Sequence, residues 1–289
     1  MLTIYNTWSY EVEDGLTLRG VDHRLNGHPT LQFIHGIAFA SKIYLPMLSP
    51  LNESYGLFLQ DLQGHGESDL GDHYPGWQKS IDRIALVMDE YDLHTRLNPI
   101  VGMGHSYGAS LQMILAAQQP ERFSAMILLD PMILPQPMFE MFENIDTNPM
   151  VDRIKKKTAR WNSREEAQSY LCSKTAFKNW HDDAINAFID HAMVVKQDSY
   201  HLRCPPEFEV EVLTKPLVTL WDAIPQIKTP TIILHSDEPV SPIRQTCQQV
   251  AEMNPNIESI PMPGSHNFML EYPKETCEQI IFSLDKLGV

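Results

Sequence analysis

Ile100-Val101-Gly102-Met103-Gly104-His105-Ser106-Tyr107-Gly108-Ala109-Ser110-Leu111 is the stretch that decides the fold. Residues 100–104 form an apolar run of strand length that ends in glycine. Residues 106–119 then place Ser110, Met113, Ile114 and Ala117 on one stripe at helical spacing. Between the two stands G-x-S-x-G, in the setting of a sharp strand-to-helix turn. Glycine and serine are common, so the bare pattern carries little; the strand before it and the helix after it give it meaning. A nucleophile held in a strained bend leaves no room for bulky neighbours two residues away, which is the task of Gly104 and Gly108. The bend lifts the hydroxyl of Ser106 above the sheet edge, beside a helix N-terminus that favours negative charge.

Further short apolar runs cover residues 31–35, 56–61, 125–130 and 231–235, each bounded by Gly, Pro or Asp. Between them lie segments of helical length, such as 80–95, where Ile81, Ile84, Ala85, Met88 and Tyr91 share a stripe. Strand alternating with helix predicts a mostly parallel twisted sheet with helices on both faces. Residues 4–11 and 16–22 differ, because Asp14-Gly15 between them signals a hairpin. The sheet should therefore carry an antiparallel edge. From residue 132 to 225 the alternation lapses, with helical pieces at 164–171 and 182–195. That span is expected to be a helical cap inserted into a core of residues 1–131 and 226–289. The pattern resumes with a strand at 257–261 and a last helix at 273–287.

The chain has 289 residues, 43% of them hydrophobic, enough to bury a large core. Asp and Glu total 37 against 22 Lys and Arg, a formal charge of -15. Such a surface repels phosphate backbones and anionic headgroups, so nucleic acid is not an expected partner and a small-molecule substrate is. Cys172, Cys204, Cys247 and Cys277 are scattered, with no CxxC pair, and read as reduced thiols of a cytoplasmic protein. Residues 1–10 lack a basic region followed by an apolar run, and no apolar stretch nears the ~20 residues of a membrane helix. No secretory signal and no integral membrane segment are therefore expected; a homodimer stays open.

Acyl transfer by a serine needs two backbone N–H donors aimed at the developing oxyanion. The residue after the nucleophile, Tyr107, should supply one. Ile37, in His35-Gly36-Ile37 after the strand at 31–35, should supply the other. His35 itself reads as a tie for that loop. Asp61-Leu62-Gln63-Gly64-His65-Gly66-Glu67-Ser68 reads as a tight turn at a strand end, with His65 stabilising it. The base should be a late histidine, and His266 in Gly264-Ser265-His266-Asn267 fits. An imidazole with a pKa near 6.5 accepts a proton at neutral pH and returns it to a leaving group, so the rate should fall below about pH 6. Three carboxylates compete to orient it. Asp237 and Glu238 follow the strand at 231–235, and Asp130 ends the strand at 125–130; both places are C-terminal strand ends. No metal or organic cofactor is required by this arrangement.

His35-Gly36, the 61–68 turn, the 104–108 elbow and His266, in this order, resemble the α/β-hydrolase superfamily over residues 31–131 and 230–289. Two cap segments, Trp161-Asn162-Ser163-Arg164-Glu165-Glu166-Ala167 and Cys204-Pro205-Pro206-Glu207, resemble a subgroup of capped bacterial and fungal hydrolases. The resemblance implies an acid in a phrase of the form Asp-Pro-hydrophobic-small-Pro. Here the phrase reads Glu238-Pro239-Val240-Ser241-Pro242, so Glu238 is the first expectation, with Asp130 and Asp237 as alternatives. Dehalogenases and epoxide hydrolases of this superfamily carry an aspartate nucleophile, and Ser106 argues against both.

The resemblance implies a carboxylesterase of the serine type, working through an acyl-enzyme. The Met- and Phe-rich stretch 132–150 either lines an apolar acyl pocket or simply packs the cap onto the core. The same triad would also serve C–C bond cleavage, thioester hydrolysis or lactone opening. A non-catalytic sensor that binds a small ligand is the reading from another class.

Overall fold

The computed structural model describes residues 5–13, 15–94, 98–135, 138, 148–215, 219–239 and 241–289. The chain opens with β1 (Asn6–Glu11) and β2 (Thr17–His23), paired antiparallel. β3 (Thr30–Ile34) and β4 (Gly56–Asp61) follow, then α1 (Trp77–Glu90), β5 (Ile100–His105), α2 (Tyr107–Gln118) and β6 (Ala125–Leu129). After a long insertion come β10 (Thr231–Ser236), α7 (Pro242–Met253), β11 (Ile257–Met262) and α8 (Pro273–Leu287). These make one eight-stranded sheet of order β1-β2-β4-β3-β5-β6-β10-β11. β2 meets β4 antiparallel and every later neighbour pair is parallel. The antiparallel edge expected from Asp14-Gly15 is there, although Asp14 itself lies outside the described residues.

The strands read as continuous apolar runs because both sheet faces are covered. Successive side chains point to opposite faces, so one run feeds two cores. Ile34, Phe58, Met126, Leu128 and Ile233 enter the layer that holds α1 and α2. Phe33, Leu57, Leu59, Met103, Ile127 and Leu234 enter the layer beneath α8. Full burial of each such side chain contributes about 1.5–3 kcal/mol. One polar pair interrupts the pattern: buried Gln32 on β3 and Gln112 on α2 bond to each other through their amides.

Helix α1 starts at Trp77, three residues before the sequence expectation, because Gly76 at φ 98 turns the chain into it. The insertion between β6 and β10 contains more than helix. Its described elements include α3 (Pro149–Lys155), β7 (Arg160–Trp161), α4 (Arg164–Cys172), α5 (Asp182–His191), β8 (Met193–Lys196), β9 (Ser199–Leu202) and α6 (Pro206–Leu213). The three strands form a small antiparallel sheet of order β7-β9-β8. The helix expected over 182–195 therefore stops at His191. Met193-Val194-Val195-Lys196 pairs with β9 through a two-residue turn in which Gln197 and Asp198 take φ 48 and 60. Both central residues at positive φ match the twist of a tight hairpin, a turn that asparagine or glycine would have announced. The insertion packs onto the core through aromatic rings: Phe39 meets Trp180 and Phe188 edge-on at 5.5 and 6.0 Å.

The chain runs from β3 outward to β4, then returns to β5 on the other side of β3 and continues to β6. The loops leaving β3 and β5 thus diverge, opening a crevice at their carboxyl ends where sheets of this kind hold ligands. The loops of residues 35–40 and 105–107 stand at that crevice.

Candidate active site

Ser106 sits between β5 and α2 at φ 51 and ψ -116, a region that side chains other than glycine rarely occupy. Backbone bonds on both flanks hold it: its N–H donates to Leu129 O at 2.9 Å, and its carbonyl accepts from Met132 N at 3.1 Å. The steric reading of the glycines is met. A Cβ at Gly104 would come within 2.7 Å of Ala109 N, and one at Gly108 within 2.4 Å of Ile34 O.

The loop after β11 brings His266 to this serine, Nε2 to Oγ at 2.9 Å. The other ring nitrogen, Nδ1, lies 2.5 Å from Asp130 Oδ2. Asp130 is wholly buried, at φ 41, and its second oxygen accepts the N–H of Ser236 at 2.8 Å. Residues 106, 266 and 130 therefore form a continuous Ser-His-Asp hydrogen-bonded line.

The acid expectation is corrected here. Glu238 is exposed, and its N–H donates to Ser236 Oγ at 3.1 Å; Asp237 is also exposed, with its N–H on Met262 O at 2.9 Å. Neither carboxylate has a bond to the imidazole. The reason is register. His105 pairs with Leu129 across β5 and β6, so Asp130 emerges directly beside Ser106, while residues 237 and 238 emerge one strand further away. Val240, part of the phrase that favoured Glu238, lies outside the described residues.

The peptide between Gly36 and Ile37 is aimed by His35. His35 Nε2 accepts the N–H of Leu62 at 3.0 Å, so its Nδ1 carries the proton and donates to Gly36 O at 2.8 Å. Phe39 N–H donates to the same carbonyl at 3.3 Å. In a planar trans peptide the next N–H points the opposite way, so tying back Gly36 O turns Ile37 N–H away from His35. Gly36 packs on Ser106, where its missing Cβ would stand 3.5 Å from Ser106 Cβ. Burial pushes His35 down from 6.5 to about 4, which keeps it neutral. Tyr107 opens α2, so its N–H is one of the donors a helix leaves free of intrahelical bonds. Its side chain turns into the core, where its hydroxyl meets Tyr74 Oη at 2.7 Å and its ring stands edge-on to Trp77.

The 61–68 turn is structural, as its glycines suggest. The carboxylate of Asp61 accepts from Ser41 N at 2.7 Å and from Glu67 N at 3.0 Å. His65 is buried against His35, and burial with that neighbour lowers it to about 3.

Several supporting residues gave no sequence signal. Ser236 Oγ donates to Gly264 O at 2.6 Å, and Glu271 accepts from Ser265 Oγ at 2.5 Å and Ser265 N at 3.1 Å, so the two residues before His266 are both held. His105 and Tyr44 stand under the site, with Tyr44 Oη 2.7 Å from His105 Nδ1. Ile37, Met132 and Leu134 meet Val151 and Ile154 of α3 and Val210 and Leu213 of α6 in an apolar cluster beside the loop. Phe139, Met141 and Phe142 of the Met- and Phe-rich stretch lie outside the described residues. All four cysteines are free, Cys172 at the surface and the others buried. Among the described residues no helix is long and apolar enough to cross a membrane.

The sheet order and the elbow at the end of β5 define an α/β-hydrolase. The chain belongs to the family whose model is described as serine aminopeptidase, S33, which matches residues 27–262. It is 31% identical over 108 residues to the abhydrolase domain-containing protein AKT2 of Alternaria alternata, which is 37% of this chain and 38% of that protein. It is 30% identical over 102 residues to lipase LipV of Mycobacterium tuberculosis, 35% of this chain and 36% of the other. The matches thus span little more than a third of these relatives' length. Two solved structures share the fold from end to end. E-2-(acetamidomethylene)succinate hydrolase superposes with a TM-score of 0.81 at 18% identity, covering 98% of this chain and 100% of that one. A thermophilic esterase from Thermogutta terrifontis gives 0.70 at 21%, covering 99% and 100%.

Proposed function

We propose that this hydrolase is a serine carboxylesterase with Ser106 as nucleophile, His266 as general base and acid, and Asp130 as the orienting carboxylate. The observation that carries the reading is the 2.9 Å contact between Ser106 Oγ and His266 Nε2. As Oγ attacks the carbonyl carbon, its proton passes to Nε2, and Asp130 stabilises the imidazolium through Nδ1–H. The carbonyl oxygen, now an oxyanion, lies against the N–H groups of Ile37 and Tyr107. Collapse expels the alcohol, which takes the proton from Nε2, and leaves an acyl-enzyme. Water then adds through the same imidazole and frees the acid and Ser106.

The apolar cluster around Ile37 and Met132 favours an apolar acyl group. Residues 132–225 act as a cap above the crevice. The identities of the structural neighbours do not choose among ester, thioester and C–C substrates, because one fold carries many chemistries.

The test is labelling by a fluorophosphonate, followed by turnover of p-nitrophenyl esters of increasing chain length. Wild type should be labelled and Ser106→Ala should not. Equal labelling of both, or none of either, removes the serine mechanism. Faster turnover of an aminoacyl p-nitroanilide than of any ester would replace the esterase reading with a peptidase one.

A further inference from the structure

We infer that His105 is a positioning residue for the Ser106–His266 pair and that Tyr44 supports the tautomer in which it acts. The inference rests on the serine mechanism proposed above.

His105 immediately precedes the nucleophile and is fully enclosed. Its Nε2 lies 3.0 Å from the backbone carbonyl oxygen of His266. A carbonyl only accepts, so the proton is on Nε2. Nδ1 is then a lone pair, and the group 2.7 Å from it, Tyr44 Oη, must donate. With its proton spent on His105, Tyr44 Oη is free to accept, and the N–H of Gly36 lies 3.2 Å away. Every donor in this line has one acceptor: Gly36 N–H to Tyr44 Oη, Tyr44 O–H to His105 Nδ1, His105 Nε2–H to His266 O.

The direction of the line explains its use. It begins in the loop that carries the Ile37 donor, passes beside the nucleophile, and ends on the main chain of the base. The three parts come from separate loops, after β3, β5 and β11, and this line bridges all three. Only glycine fits at residue 36, since a Cβ there would stand 2.8 Å from His105 Nδ1. Phe39, from the same loop, stacks on the His105 ring at 6.0 Å and 15°. The ring of His266 lies 4.8 Å from that of His105. Burial and the neighbouring His266 hold His105 well below 6.5, so the neutral tautomer persists while His266 takes up its proton. A charged His105 would place a second proton on Nδ1, facing Tyr44, and break the line.

The experiment compares full-length wild type with His105→Gln, His105→Leu and Tyr44→Phe. Glutamine keeps an N–H donor at the reach of Nε2; leucine keeps bulk and removes the donor. The readouts are the maximal rate and half-saturation of fluorophosphonate labelling at Ser106, kcat and KM on a p-nitrophenyl ester, and the thermal midpoint. His105→Leu should lower the maximal labelling rate and kcat by about 100-fold, with KM nearly unchanged, because misplacing the base by about 1 Å costs on that order. His105→Gln should recover most of that loss, and Tyr44→Phe should fall between them. The contrast between Gln and Leu at similar thermal midpoints is what a purely structural role would not produce. Equal losses in Gln and Leu, tracking the thermal midpoint, overturn the inference. So does His105→Leu labelling at the wild-type rate. If His105→Leu does not fold, Tyr44→Phe, which removes one oxygen, decides: a wild-type rate there overturns it. Wild type that takes no label removes the serine mechanism and this inference together, whereas labelled wild type with indifferent variants removes the inference alone.

Discussion

Nδ1 of His266 lies 2.5 Å from Oδ2 of Asp130, a carboxylate with no solvent exposure of its own. The other oxygen of Asp130 is committed to the N–H of Ser236. An N–H needs an acceptor, so the Oδ1 side is decided by the backbone and the Oδ2 side is left for the imidazole. The carboxylate is thereby held in one rotation, and the imidazole must present Nδ1–H to it and a lone pair to Ser106.

Asp130→Asn should lower kcat by about 10³–10⁴ with the fold retained. The asparagine oxygen would keep the Ser236 N–H, which turns its NH₂ toward His266 Nδ1. That nitrogen must then accept, the proton moves to Nε2, and the base can no longer take one from Ser106. Glu238→Gln should stay within about twofold of wild type, since the side chain is exposed and away from the ring. Steady-state rates on one p-nitrophenyl ester check both. A larger loss in Glu238→Gln would restore the acid expected from the sequence phrase.

Ser236→Ala should reduce both stability and rate. The hydroxyl donates to Gly264 O, two residues before His266, and removing it leaves a partly buried acceptor unpaired. The cost should be about 1–3 kcal/mol in urea unfolding. The rate should fall about tenfold, because the loop that carries His266 loses an anchor. Loss of stability with full activity would show that Glu271 alone is enough to hold the loop.

Gly108→Ala should destabilise by about 1–3 kcal/mol even though alanine suits a helix better than glycine. The added methyl meets the backbone oxygen of Ile34 at 2.4 Å, and a strand in mid-sheet cannot move aside as a flexible side chain would. Denaturant midpoints measure this. A gain in stability would mean that α2 can lift off β3 at little cost.

Stability should depend on pH through three buried neutral histidines. Burial lowers His35 to about 4 and His65 to about 3, and holds His105 well below 6.5. Above pH 7 folded and unfolded chains both keep these rings neutral, so they contribute no slope. Below 6.5 the unfolded chain binds protons that the folded chain refuses, so stability falls as pH falls, until the folded rings themselves protonate near 4 and below. Each ring weakens the folding constant by about tenfold per pH unit in that window. The thermal midpoint should be flat from pH 7 to 8.5 and drop steadily from 6.5 to 4.5, and His65→Gln should make the drop shallower by about one proton. An unchanged midpoint down to pH 5 would contradict the burial of these rings as neutral groups.

Much of the site was legible in order along the chain. Gly104 to Gly108 announced a strand-to-helix bend, since only such a bend makes both glycines necessary. His266 was legible because it follows the last strand and precedes the last helix, behind a glycine. His35 was legible as a tie through its place at a strand end. The hairpin β8–β9 was not, because Gln197 and Asp198 take positive φ without any glycine to mark the turn, and the preceding residues carry a helical stripe.

What the amino-acid order determined by itself is what local sterics and period set: which runs are the strands of the large sheet, where the chain bends around Ser106, and which serine and histidine stand at strand ends. Which acid partners the histidine was decided only in three dimensions. Asp130, Asp237 and Glu238 all leave the carboxyl end of a strand, and their chemistry is nearly the same. The choice among them is a matter of strand order and register, which place β6 beside β5 and put Asp130 next to Ser106. The same holds for Tyr44 and His105, ordinary residues in the sequence, which acquire a direction of proton donation only when three loops close around them.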